Sequence, residues 1–152
     1  MAKLFTVRAA VLGDAPTIAA LSRGLGYPVA VEMLAQRLGR LLTQSDEIVL
    51  VADVVPGQVL GWVHGSEQEL LETGRRCEIL GLVVDAEHRR TGVGRRLVAA
   101  LEQWAVSRGL EEMAVRSNVV RSESHPFYER LGYVRAKTQH AYRKQLLEHG
   151  AG

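Results

Sequence analysis

The sequence predicts a mixed α/β (α+β) chain, with helices layered on one sheet, and three of its features carry that prediction. Two β-rich runs, Glu47 to Val55 and Gln58 to His64, are joined by Pro56 and Gly57 and read as an antiparallel hairpin. Strand and helix patterns then alternate through the second half of the chain. Between them Cys77 to Asp85 (CEILGLVVD) is an almost unbroken apolar run, as a central strand covered on both faces requires.

Each element follows from its own residues. Phe5 to Ala9 alternates as a short strand, and Asp14 precedes Ala15, Pro16, Ile18 and Leu21 as an N-cap precedes a helix with proline in its first turn. Leu34, Leu38, Leu41 and Leu42 give a second helix from about Val31 to Leu42. Ser66 to Arg76 is charged and turn-prone and reads as a loop, with one helical turn at most, at Glu69 to Leu71. Gly81, inside the apolar strand, marks a bulge or a close approach of backbone. Val93, Leu97, Leu101, Trp104 and Ala105 recur at helical spacing until Arg108 and Gly109 end the helix. Glu112 to Ser117 reads as a strand, Ser122 to Arg130 as a helix, and Tyr133 to Arg143 as one or two closing strands.

Composition narrows the function. A chain of 152 residues, 47% hydrophobic and 24% charged, fits one globular domain, taken here as residues 1–152. The single cysteine, Cys77, excludes an internal disulfide, and no Cys/His spacing resembles a metal site, so none is expected. No signal-like or membrane-length apolar run is present, so the expectation is a cytoplasmic protein without a membrane partner. A net charge of +2 and 5% aromatic residues give nucleic acid little to bind. The local concentration of Arg89, Arg90, Arg95 and Arg96 around two glycines suits a smaller anion.

That concentration lies in DAEHRRTGVGRRL, where Arg89, Gly92 and Gly94 form Arg-x-x-Gly-x-Gly between the apolar strand and a helix. Glycines let successive N–H groups turn into one concavity, and the helix start adds partial positive charge, so the element suits a pyrophosphate. There is no Gly-Lys-Ser/Thr ending for a P-loop, and Leu97 stands where a dinucleotide fingerprint needs glycine. The motif resembles instead the acyl-CoA pyrophosphate loop of the GNAT superfamily of N-acetyltransferases. HPFYERLGYV, His125 to Val134, is similar to the Phe-Tyr-x-x-x-Gly-Phe/Tyr element that follows the fifth strand there.

The resemblance implies a GNAT-like, mostly antiparallel mixed sheet, splayed between strands 4 and 5 and flanked by helices on both faces. It implies acetyl-CoA as co-substrate, with the pyrophosphate on Arg89, Arg90, Thr91, Gly92, Val93, Gly94 and Arg95. Leu82, Val83 and Val84 of the bulged strand would pair with pantetheine through backbone, and backbone N–H groups near Leu82 and Val83 could stabilise the oxyanion. Tyr128 would protonate the departing thiolate while contacting the cofactor's sulfur. Where the family often has an asparagine before this tyrosine the chain has Arg121, and the earlier Asn118 could reach pantetheine or cap the next helix.

An amine nucleophile is protonated at neutral pH, so transfer needs a proton acceptor. Glu78 is similar in position to the glutamate base of histone-acetylating members, or it is an edge glutamate paired with Arg75 or Arg76. His125 or ordered water are alternative bases, and His64 and His140 could line the acceptor groove, with no recognisable partner for either. Cys77 as an acyl carrier is the weaker reading, since no motif fixes a histidine near it. The expected reaction is direct acetyl transfer in a ternary complex to a primary amine on a small molecule or protein. The rivals are a catalytically silent acyl-CoA-binding module and a nucleic-acid-binding domain. The resemblance makes homodimerisation a family-level expectation and leaves the acceptor open; Leu25, Tyr27, Glu32 and the loops nearby are where specificity would reside.

Overall fold

Among the described residues, five strands form one sheet: β1 (Thr6–Ala9), β2 (Glu47–Asp53), β3 (Val59–Leu70), β4 (Gly74–Val84) and β5 (Glu112–Val115), neighbours in that order. The first four pair antiparallel and β5 joins β4 in parallel, so the sheet is mixed and mostly antiparallel as expected. The described residues also form the helices α1 (Ala15–Arg23), α2 (Val31–Leu41), α3 (Val93–Ser107) and α4 (Ser124–Arg130). The structure, a computed structural model, describes residues 4–24, 26, 28–54, 58–116 and 124–147. The chain divides into two compact units, Met1–Arg116 and Ser117–Gly152; all five strands and α1 to α3 belong to the first.

Alternation along the strands sends successive side chains to opposite faces, and helices cover both. Gly61 and Gly65 of β3 face α3 so closely that an added Cβ at Gly65 would lie 2.5 Å from Leu101. Leu97, Val98 and Leu101 of α3 are fully buried there, each worth about 1.5–3 kcal/mol on removal from water. On the other face Val49 and Val51 of β2 and Trp62 of β3 pack with Ile18 and Leu21 of α1 and Leu34 and Leu38 of α2. Among the described residues no helix is long and apolar enough to cross a membrane.

The structure corrects three readings of the sequence. Residues 66–76 are not a loop: β3 and β4 run on as a hairpin to Leu70↔Gly74, turning over residues 71–73. Their polar residues are held by ion pairs, since Glu67 accepts from both Arg75 of β4 and Arg108 beyond α3 (2.7 Å to the latter). Asp14 occupies the position before α1 without a side-chain capping bond. Finally, residues 133–146 form no strand; the Pro56–Gly57 turn lies outside the described residues.

Asp14 serves a longer-range purpose. Its carboxylate accepts two hydrogen bonds from Arg8 (2.8 and 2.9 Å) and one from the Val11 N–H (2.8 Å), while Arg8 Nε donates to Asp53 (2.9 Å). Arg8 thus ties β1 to the end of β2 and to the turn before α1. Its hydrogen bonds hold the Asp14 carboxyl below the usual range despite burial. Because the folded pKa is depressed, the stabilisation is present above the unfolded value and disappears as pH falls through the folded one. Asp14→Asn is expected to cost about 1–3 kcal/mol in urea unfolding at pH 7. That difference from wild type should shrink steadily below about pH 4.

Candidate active site

The site's frame is set where β4 loses its parallel neighbour. Pairing with β5 runs from Arg76↔Glu112 to Ile79↔Val115, leaving residues 80–84 beyond that register. The β3–β4 register shifts at the same place, from Gly65↔Ile79 to His64↔Gly81, so Leu80 is the extra residue of a β-bulge. This is the bulge that Gly81 signalled. Leu80 is 50% exposed, whereas Val83 is buried and Leu82 and Val84 are partly buried. Gly81 is needed because Trp62 lies across it: an added Cβ would meet the indole at 2.8 Å.

After β4 the chain enters the glycine loop through a short 3-10 turn, Ala86–His88. The Asp85 N–H donates to the Leu60 carbonyl (2.8 Å), His88 Nδ1 pairs with the Asp85 carboxylate (2.8 Å), and the Thr91 hydroxyl donates to the His88 carbonyl. Arg90 (φ 65°) and Gly92 (φ 93°) are both left-handed. Gly92 precedes α3 with no side-chain cap, so the first N–H groups of α3, beginning at Val93 and Gly94, lack intrahelical partners. Alternating backbone handedness of this kind turns N–H groups toward a common point, which suits a pyrophosphate. Arg89, Arg90 and Arg95 are exposed beside it. Arg96 is engaged elsewhere, donating to the Phe5 carbonyl (2.9 Å) with its guanidinium 4.4 Å from the Phe5 ring centroid.

On the α1/α2 face the sheet changes from apolar to polar beside the bulge. Glu47, Ser66 and Glu78 stand directly opposite one another across β2, β3 and β4, and His64 shares their face one pleat along. Glu78 is 5% exposed and Ser66 8%. Glu78 does not pair with Arg75 or Arg76; Arg116, following β5, reaches it at 3.3 Å. His64, read from the sequence as lacking a recognisable partner, has one: its Nε2 lies 3.0 Å from Glu47 Oε1. That pair was invisible beforehand because the strand register alone brings the two residues together.

In the second unit, α4 carries His125 and Tyr128, both partly buried. The Tyr128 ring meets Phe127 edge-on at 5.0 Å and Tyr133 at 5.7 Å between centroids. Burial pushes its phenol pKa upward, so the hydroxyl keeps its proton at neutral pH. Asn118 and Arg121 lie outside the described residues, as do Leu25 and Tyr27. Cys77 is fully buried on β4 and burial raises its thiol pKa to about 11, which suits a packing residue and not a thiolate nucleophile. No group of three His, Cys, Asp or Glu side chains among the described residues could hold a metal ion.

Comparison with known proteins agrees on one family. The family model described as "Acetyltransferase (GNAT) family" matches residues 20–133. An aminoglycoside N(6')-acetyltransferase type 1 of Stenotrophomonas maltophilia is 27% identical over 132 residues, covering 84% of this chain and 85% of the relative. The crystal structure of aminoglycoside 6'-N-acetyltransferase AAC(6')-Ih from Acinetobacter baumannii superposes with a TM-score of 0.82 at 22% identity, over 94% of this chain and 99% of that one. AAC(6')-Iy in complex with the bisubstrate analog CoA-S-monomethyl-acetylneamine gives 0.82 at 19% identity, over 93% and 99%. The likeness to these structures is one of fold.

The bulge is open to a direct check. Gly81→Ala is expected to push the Trp62 ring from its place, costing about 1–3 kcal/mol. The measurement is thermal unfolding together with tryptophan fluorescence, and an unchanged spectrum with unchanged Tm would contradict the packing of Trp62 on Gly81.

Proposed function

This chain belongs to the GNAT acetyltransferase family and is an acetyl-CoA-dependent acyltransferase; from that premise we propose that it acetylates a primary amine on a small, cationic acceptor of the aminoglycoside class. The observation that carries the reading is the uncapped, left-handed loop at the start of α3, standing directly after a bulged strand that outruns its parallel neighbour. The curated relative that is similar over most of its length is named for aminoglycoside acetylation, which supports the acceptor class. The family match crosses the boundary between the two units, which supports treating them as one acyltransferase domain.

In this reading, the N–H groups at the start of α3 hold the pyrophosphate with Arg89, Arg90 and Arg95, and Leu82 to Val84 offer backbone to pantetheine. The co-substrate supplies a thioester whose carbonyl carbon is open to an amine. Direct attack in a ternary complex fits a chain whose one cysteine is buried and protonated. Glu78 brings negative charge to the acceptor side. Since Arg116 already engages its carboxylate, a role in holding the ammonium fits better than one in taking its proton. Tyr128, protonated at neutral pH, gives its proton to the leaving sulfur. A silent acyl-CoA-binding module would share the loop and lack turnover.

Thiol release from acetyl-CoA, measured against a panel of aminoglycosides, polyamines and lysine peptides, tests the proposal. Amine-dependent release that is strongest on aminoglycosides is expected; tight acetyl-CoA binding with no turnover would give the silent module, and absence of binding would sink the loop assignment. Tyr128→Phe is expected to lower kcat about 10²-fold with a much smaller loss of acetyl-CoA affinity. Gly92→Ala strains a left-handed position and is expected to weaken acetyl-CoA about tenfold in a calorimetric titration, with kcat little altered.

A further inference from the structure

The polar end of the sheet contains a pair that neither the family resemblance nor the reaction described above uses. His64 stands opposite Gly81 at the β4 bulge, and opposite Val49 on β2. Its ring is within hydrogen-bond distance of Glu47, and both side chains are largely buried, at 19% and 11% exposure. A carboxylate can only accept, so the hydrogen bond places the proton on Nε2 and leaves the lone pair of the neutral ring on Nδ1. A histidine oriented in this way by a buried carboxylate is a proton acceptor with a counter-ion already in place for its charged form.

The surroundings decide which charged groups it meets. Glu47 comes from β2, and Glu78 comes from β4 with Arg116 paired to it. From the helices that cover this face, α1 and α2 contribute Ile18, Leu21, Leu34 and Leu38, while their charged Arg23, Glu32, Arg37 and Arg40 are exposed. The histidine therefore shares its face of the sheet with two carboxylates, Glu47 bonded to it and the buried Glu78 bonded to a guanidinium. Among the described residues, Glu47 is bonded to His64 Nε2 and Glu78 to Arg116, and neither contact engages His64 Nδ1.

We propose that His64 takes the proton from the acceptor's ammonium group at Nδ1, and that Glu47 is the positioning residue that fixes its tautomer. The inference rests on the acetyl transfer proposed above. The ammonium loses one proton to His64 and becomes a neutral amine. A C–N bond then forms, the thioester C–S bond breaks, the second nitrogen proton ends on the departing sulfur, and His64 returns its proton to water. The net products are an amide, a free thiol and one proton.

Two measurements on the full chain test this. In wild-type protein carrying ¹⁵N-labelled histidine, long-range ¹H–¹⁵N spectra should show the His64 proton on Nε2, and Glu47→Gln should shift it toward Nδ1. In the kinetic arm, kcat/KM is followed from pH 6 to 10 for whichever amine of the panel the wild type acetylates. His64→Gln is expected to lose about 10²-fold at pH 7, with unchanged acetyl-CoA affinity. The gap should close toward pH 10, where the acceptor deprotonates unaided. Glu47→Gln should lose about tenfold with the same pH trend, and Glu78→Gln should raise the amine KM without altering the profile. A wild-type proton on Nδ1, a His64→Gln profile that matches wild type, or the pH effect appearing in Glu78→Gln instead would each overturn the role of His64 alone. A wild type that acetylates no amine would overturn the acetyl transfer and this role with it.

Discussion

The end of the β4–β5 pairing at Ile79↔Val115, immediately before the bulge at Leu80, is the constraint on which the rest of the first unit depends. A parallel partner would consume the backbone donors and acceptors on one edge of β4, and a flat antiparallel partner on the other edge would keep them in register. Here the one partner stops and the other shifts within the space of two residues. The strand nevertheless stays fixed, because Val83 is buried and the Asp85 N–H is tied to the Leu60 carbonyl of β3. The glycine loop therefore begins from a fixed point, and the His88–Asp85 and Thr91–His88 bonds carry that order as far as Gly92. Such bracing is what a site built largely from backbone dipoles requires, since preorganised N–H groups act without reorganising.

Electrostatics separates the arginines into two groups. Arg8, Arg75, Arg108 and Arg116 pair with Asp14, Asp53, Glu67 and Glu78, and Arg96 lies on Phe5, so these cations are engaged by partners within the first unit. Arg89, Arg90 and Arg95 keep their heads in solvent beside the start of α3. A net charge of +2 conceals this division, and of the acidic residues just before the loop Asp85 is bonded to His88 while Glu87 is exposed. Three exposed guanidiniums therefore outnumber the one exposed carboxylate, Glu87, at the loop, and the α3 macrodipole adds positive character there.

Much of this was legible beforehand, and for a physical reason. The helices over residues 15–23, 31–41 and 93–107, the apolar strand and the Arg-x-x-Gly-x-Gly turn are each specified by residues close together in the chain, through periodicity, proline and glycine. What sequence reasoning missed was specified by pairing at a distance. The hairpin extension through residues 66–76 is polar and looks like a loop, but its backbone pairs continuously with β4 as far as Gly74 and Glu67 is bridged to Arg75 and Arg108. Asp14 had the position of a helix cap but found a stronger partner in Arg8 on the neighbouring strand. Glu78 was read as a base or, alternatively, as the partner of Arg75 or Arg76; Arg75 is committed to Glu67 and Arg76 leans toward Glu112, and the cation that reaches Glu78 is Arg116, delivered by the parallel strand. The His64–Glu47 pair is the same lesson, since a shift of one residue in the β2–β3 register would put the two on opposite faces.

The change of character along one face of the sheet gives the polar row its meaning. Val49, Val51 and Trp62 belong to a core that α1 and α2 seal, and a chain that needed only stability would continue that pattern to the end of the strands. It places Glu47, His64, Ser66 and Glu78 there instead, with Ser66 and Glu78 almost wholly buried. Burying such groups costs free energy even when they are bonded, and replacement by apolar residues of similar volume is often neutral or stabilising. Their placement on paired strands holds them far more rigidly than a loop would, in the row where β4 bulges. A strand-borne carboxylate, Glu47, bonded to one histidine, set beside a strand that has lost its parallel partner, is poorly explained by packing and well explained by the proton-accepting role proposed for His64.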